Sequence, residues 1–400
     1  MTATAISAGV ALPGAAAAAV PSTAEVNTTG LAVTDDTVKV GILHSLTGTM
    51  AISETGSVEA EKLAIDQINA MGGILGRKIE VITEDGASDW PTFAEKARKL
   101  LVKDKVATVF GCWTSASRKA ALPVFEKENG LLYYPTFYEG LEQSKNVIYT
   151  GQEATQQILD GLNWVAKEKG AKTFYLIGSD YIWPRTSMKI ARKHIENVLG
   201  GKVVGEEYAP LGHTQFGSII NKIRLKKPDV IYAAVVGGSN VAWFKQLKAA
   251  GITGDKQTLL TISVTEDEVL GIGGENLVGF YSIMKYFMSL DNPNNAGFVK
   301  DFKTKWGDDS VIGDVTQAAY LGPWLWKAAV EKAGSFDVDK VVAASPGIEL
   351  TTAPEGYVKV HENHHLWSKA RVAQWQADGQ AKIVYESELI EPNPFPEGYQ

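Results

Sequence analysis

From Val38 onward, short apolar runs alternate with longer stretches in which apolar residues return every three or four positions. The first pattern marks strands and the second amphipathic helices. Val38 to Leu43 (VKVGIL) predicts a strand, followed by a polar loop over 45–48 and a helix over 57–71. Along that helix Ala60, Leu63, Ala64 and Ile68 share one side, with Glu59, Lys62, Asp66 and Asn69 on the other. The pair Gly72 and Gly73 ends it. Further strands are expected at 78–83, 107–111 and 130–134, with helices over 91–101 and 115–128. The same grammar restarts after residue 151. Helices are expected over 153–169, 216–226 and 240–250, and one more from Pro184 to Gly200; strands are expected at 173–177, 203–208 and 229–235. Strands alternating with helices imply βαβ units and a largely parallel sheet, here in two α/β lobes of similar build. Near the end, 357–361, 370–376 and 382–386 read as strands of a small antiparallel addition.

The chain has 400 residues, 45% hydrophobic and 21% charged, and its net charge is -7. That mildly acidic balance argues against a nucleic-acid partner. Beyond the N-terminus no uncharged apolar stretch reaches about 18 residues, so no insertion into a membrane is expected. The single cysteine, Cys112, excludes an internal disulfide and a thiolate metal site. No cysteine near the start could carry a lipid anchor. Met1 to Val38 holds no Lys or Arg, and Ile6 to Val20 is mostly Ala, Gly and Val, with five alanines at 15–19. This matches the hydrophobic and cleavage regions of an export signal without its basic start; a low-complexity leader is the alternative. Residues 21–36, small and polar, read as a disordered spacer. Residues 1–36 are thus taken as export signal and spacer, and the mature chain as periplasmic.

Enzyme signatures are mostly missing. There is no phosphate loop and no nucleophile elbow, and Gly271, Gly273 and Gly274 do not complete a dinucleotide fingerprint. Cys112 after a strand reads as inert packing, and His361, His364 and His365 as ordinary hydrogen-bonding groups rather than metal ligands. Asp308, Asp309 and Asp314 could supply oxygens to calcium, although a solvated acidic loop is the favoured reading. No cofactor is required.

The residues that follow the expected strands carry the chemistry, because open α/β sheets bind ligands beyond the carboxyl ends of their strands. There stand Trp113, Thr114 and Ser115; Tyr134, Thr136, Tyr138 and Glu139; Asp180, Tyr181 and Trp183; Gly237; and Ser263. Taken singly, each could be interface packing or a helix cap. Together they read as a cleft for a small, neutral, planar ligand: hydroxyls both donate and accept, and aromatic faces can sandwich a flat molecule. Arg118 and Arg185 lie close behind, but no anion clamp is evident. Asp180 and Glu139 could hold an ammonium, or equally accept N–H bonds from a neutral amide.

These segments resemble the periplasmic substrate-binding proteins of urea ABC transporters, within the class that binds branched-chain amino acids and short amides. The resemblance spans Val38 to Glu391 and rests on residues 40–48 (VGILHSLTG), 72–77 (GGILGR), 111–119 (GCWTSASRK), 134–140 (YPTFYEG) and 178–185 (GSDYIWPR). Related amide sensors usually carry tyrosine where this chain has Trp113 and Trp183, which favours urea. The resemblance implies a type I clamshell: two Rossmann-like lobes joined by a three-crossover hinge. One lobe would comprise 37–151 plus 284–348, and the other 152–283 plus 349–400. It also implies capture of urea without bond-making and delivery to membrane permease subunits. In that frame Trp113, Thr114, Ser115, Tyr134, Thr136 and Tyr138 come from the first lobe. Asp180, Tyr181, Trp183, Gly237 and Ser263 close over them. Amino-acid relatives typically hold the ligand ammonium with a glutamate near the position of Ser263. A sensor or receptor for short-chain amides or branched-chain amino acids is the alternative.

Overall fold

The computed structural model describes residues 20–400. The export-signal reading of 1–19 lies outside the described residues. Five strands, β1 (Thr37–His44), β2 (Lys78–Asp85), β3 (Val109–Gly111), β4 (Leu132–Tyr134) and β5 (Val147–Tyr149), form one sheet in the order β2-β1-β3-β4-β5. All its neighbours run parallel. The second sheet contains β6 (Thr173–Ser179), β7 (Lys202–Ala209), β8 (Val230–Ala234), β9 (Thr258–Thr261) and β10 (Tyr281–Met284). Their order, β7-β6-β8-β9-β10, repeats that of the first sheet. Helices cover both faces of such sheets, which is why β3, β4, β8 and β10 are buried at every position. Helix Ala51–Ala70 starts six residues earlier than expected because Ser53, Glu54 and Ser57 are buried with its apolar side. Helix Asp314–Ala333 packs along it and sets Trp326 edge-on against Phe110 of β3, 6.1 Å between ring centroids.

Two expectations are corrected. Residues 21–36 are not a disordered spacer. Ser22 caps the short helix Thr23–Val26, Val26 and Val33 are buried in the first lobe's core, and Arg77 donates to the Pro21 carbonyl (2.6 Å). Thr28 and Thr29 donate to the Asp337 carboxylate (2.6 and 3.0 Å). Small polar residues read as disorder by composition, yet these are caps and turns with named partners.

The second correction concerns the last crossing between lobes, expected at 348/349. β11 (Glu349–Ala353), β12 (Gly356–Val360) and β13 (Leu366–Trp367) form a separate antiparallel sheet. Ile348, Val358, Val360 and Leu366 join the first lobe's core, and His365 bridges to Tyr149 beside the first sheet. The chain crosses only after Trp367. Then β14 (Arg371–Trp375) and β15 (Ala381–Glu386) add antiparallel to β10, extending the second sheet.

Candidate functional site

The carboxyl ends of β3 and β4 face that of β6. After β3 the chain turns sharply through Gly111 and Cys112 (φ 146° and 60°). A Cβ on Gly111 would lie 2.1 Å from the Leu43 carbonyl oxygen, so only glycine lets β3 pass β1 here. This turn delivers Trp113, and helix Ser115–Lys127 follows. From the second lobe, Tyr181 and Trp183 open helix Ile182–Asn197, whose Pro184 sits in the first turn. The rings meet across the cleft: Trp113 to Phe137 is 5.7 Å, Phe137 to Trp183 is 5.5 Å, and Trp183 to Tyr181 is 6.5 Å. Trp90 closes the row at 6.4 Å from Tyr181. The lobes are shut over this cluster, and Gly238 N donates to Thr49 O across the gap (3.1 Å).

Polar atoms in the cluster are buried without partners: the indole nitrogens of Trp113 and Trp183, the hydroxyls of Thr136 and Tyr181, and Glu139 Oε1. A buried polar group left unpaired costs about 1–3 kcal/mol, so several in one place make this cluster the candidate site for a solute that would supply their partners. Ser115 donates to the other Glu139 oxygen (2.6 Å).

Behind this layer lies Arg118, fully buried. It donates to Glu142 (2.7 Å) and Ser115 (3.2 Å), and its guanidinium stacks 4.6 Å from the rings of both Tyr134 and Tyr138. Burial works against the Glu142 carboxylate, but Arg118 and Lys119 together hold it down at about 2. On the β1 side, His44 lies between Glu54 (3.3 Å) and Glu61 (3.0 Å), all three buried. Burial alone would push the imidazole down; Glu61 and Glu54 outweigh it and raise His44 to about 9. Burial also lifts Glu266 to about 8 and Glu153 to about 7.

Each of these last three groups holds its proton more tightly in the folded chain than in the unfolded one. Stability therefore falls as pH rises, through 6.5 to about 9 for His44 and from 4.5 up to about 8 for the glutamates. The thermal midpoint is expected to be lower at about pH 9 than at about pH 6 at fixed ionic strength. Scanning calorimetry across that range checks this; a flat or rising midpoint would contradict it.

Of the eleven residues singled out from sequence, the structure gathers Trp113, Ser115, Thr136, Tyr181 and Trp183. The other six are occupied elsewhere. Thr114 caps its helix by accepting from Ser117 N (3.0 Å), Tyr134 donates to Trp113 O (2.7 Å), and Ser263 donates to Val235 O (2.6 Å). Tyr138 donates to His365 Nε2 (2.5 Å), whose Nδ1 donates to Asn363 O (2.8 Å). Burial pushes His365 down to about 3, so it is neutral packing. Asp180 is 41% exposed and pairs with Arg185 (2.6 Å), pointing away from the cluster. Gly237 packs directly against Thr49 and Met50 of the other lobe. Sequence reasoning left Phe137 and Arg118 out of the site.

The acidic loop does not converge either. Asp314 is buried and accepts from Lys285 N and Tyr286 N (3.0 and 2.9 Å), whereas Asp308 and Asp309 are exposed. Among the described residues no three His, Cys, Asp or Glu side chains come together as a metal site. Nor, among them, is any helix long and apolar enough to cross a membrane.

Comparison with known proteins agrees with this geometry. A family model described as "Periplasmic binding protein domain" matches residues 38–400. The leucine-, isoleucine-, valine-, threonine- and alanine-binding protein of Pseudomonas aeruginosa is 26% identical over 348 residues, 86% of this chain and 91% of that protein. A solute-binding protein of an ABC transporter from R. palustris, solved with 4-hydroxybenzoate, superposes with a TM-score of 0.80. It is 24% identical, over 91% of this chain and all of that one. A branched-chain amino acid transporter substrate-binding protein from Streptococcus pneumoniae, solved with isoleucine, gives 0.76 at 21% identity, covering 89% and 100%. Two doubly wound lobes shut over a buried cluster of unpaired polar groups have the architecture of these solute receptors. The chain belongs to the periplasmic binding protein family.

Proposed function

We propose that this receptor captures urea, or a short amide of the same shape, outside the cytoplasm and hands it to the permease of an ABC transporter. The observation that carries the reading is the set of unpaired polar atoms enclosed by aromatic rings in mutual contact. Indole N–H groups can only donate, and so call for a carbonyl oxygen. Thr136 and Tyr181 can accept the N–H groups of the same molecule. Urea has few heavy atoms, and at roughly 1.5 kcal/mol each they allow a dissociation constant of about tens of micromolar at best.

A zwitterionic amino acid is the second reading. It is favoured by the names of the relatives and by the buried Arg118–Glu139 pair, whose facing atoms (3.7 Å) make no hydrogen bond. Isothermal titration calorimetry of the full chain with urea, acetamide and leucine separates the two. Saturable one-to-one heat with urea supports the proposal; heat with leucine alone supports the second reading.

Thr136→Val is expected to weaken urea binding about five- to tenfold while leaving the thermal midpoint of the free chain unchanged or slightly raised. The hydroxyl it removes has no partner in the protein. Unchanged urea affinity in that variant would take Thr136 out of the site.

A further inference from the structure

We infer that Glu139 is the residue that selects the solute, by admitting molecules that present N–H groups and rejecting the carboxylates of the same shape. The inference rests on the amide reading above and deepens it. Glu139 is 2% exposed, and its Oε2 is fixed by the Ser115 hydroxyl (2.6 Å). Oε1 makes no hydrogen bond, and the nearest cation, Arg118 Nη2, is 3.7 Å away, too far for one. Arg118 is committed through Nε to Glu142 and through Nη1 to Ser115 and is wedged between two tyrosine rings, so it cannot swing over, although its Nη2 is itself without a partner. The Tyr181 hydroxyl, brought by the other lobe, feels the Glu139 charge and also lacks a partner.

A carboxylate is an acceptor only, and a buried one is satisfied by nothing but a donor. The indoles of Trp113 and Trp183 are donors only. The cluster therefore pairs acceptor and donor requirements that one neutral molecule bearing both C=O and N–H meets. Acetate, which matches acetamide atom for atom but has no N–H, would place a second negative charge against Glu139. Guanidinium has the N–H groups but offers the indoles no acceptor.

The test is calorimetry of the full chain and of Glu139→Gln with urea, acetamide, acetate and guanidinium, alongside thermal midpoints. The wild-type chain should bind urea and acetamide and give no measurable heat with acetate or guanidinium. Glu139→Gln should weaken urea about tenfold or more and bring acetate within about tenfold of acetamide. Glu139→Asp, which keeps the charge but withdraws it, should weaken urea without admitting acetate, and serves if the glutamine variant does not fold. An unchanged acetamide-to-acetate ratio in Glu139→Gln would overturn the assignment. So would equal loss of every solute with a fall in midpoint, which would make Glu139 a structural partner of Ser115. If the wild-type chain binds neither urea nor acetamide, the amide reading itself fails and this inference goes with it.

Discussion

Arg118→Met is expected to cost about 3–5 kcal/mol of stability, because it removes one partner of a buried charge network and leaves the others in place. Arg118 is fully buried and links Ser115, in the first turn of its own helix, to Glu139 and Glu142 of the loop after β4. Lys119 also reaches Glu142 (2.7 Å), but it is 39% exposed and does nothing for Glu139. The methionine would keep much of the packing between Tyr134 and Tyr138 and lose the charge, so the loss measured is mainly electrostatic. A thermal midpoint lowered by on the order of 10 °C is expected. The pH dependence identifies the cause. Glu142 is held at about 2 in the folded chain against an ordinary 4.5, so its contribution is complete above 4.5 and disappears as pH falls toward 2. The gap between wild type and variant should narrow over that interval. Arg118→Lys should fall between them, since an ammonium keeps the charge but not the planar stacking or the fork of donors. A methionine variant as stable as the parent would show that the network is not what holds these segments.

Much of the fold was legible in the chain, because strand and helix periods differ and parallel strands carry near-continuous apolar runs. Which sheet an antiparallel strand joins was not. β12 and β14 have similar alternation, yet β12 enters a separate sheet on the first lobe and β14 extends the second sheet, and that choice depends on docking surfaces made by distant residues such as Tyr149, which bridges to His365, and Tyr281, which pairs with β14. The site was legible to about the same depth. The rule of strand ends pointed to Trp113, Ser115, Thr136, Tyr181 and Trp183. It also drew in Thr114, Tyr134, Tyr138 and Ser263, since a hydroxyl beyond a strand can bind a solute or settle the backbone's own unpaired groups, and composition does not distinguish the two. Asp180 precedes Tyr181 by one residue, yet the start of a helix turns one toward Arg185 and the other into the cleft. Arg118 stands just behind the strand-end residues in sequence, and the sequence alone does not say where its charge goes. One helical turn returns it beside Ser115, and its charge is spent inside the protein on Glu142 and Glu139. A buried cation already matched by carboxylates can brace a site that takes a neutral molecule.

Gly237→Val should abolish tight capture of urea by keeping the lobes from closing. Gly237 follows β8 with φ 62°, and in the shut form a Cβ there would stand 2.8 Å from Thr49 O and 2.9 Å from Met50 Sδ of the other lobe. One of those atoms is backbone and cannot turn aside, and the adjacent Gly238–Thr49 hydrogen bond (3.1 Å) would be pried apart with it. Hinge motion is the usual response of such receptors to a ligand. A penalty borne only by the shut state reduces its population, and every 1.4 kcal/mol of it weakens apparent affinity about tenfold. A valine with positive φ also carries backbone strain of about 1–2 kcal/mol, but that strain is present whether the lobes are open or shut. Gly251→Val supplies the control: its φ is 77° and nothing lies within 4 Å of the added Cβ. Both variants should lower the thermal midpoint by similar amounts, while only Gly237→Val loses urea affinity by tenfold or more. In small-angle scattering only Gly237→Val should fail to contract at saturating urea. Equal affinities in the two variants would mean that contact at Thr49 does not limit closure, and that the shut form is held by the aromatic cluster alone.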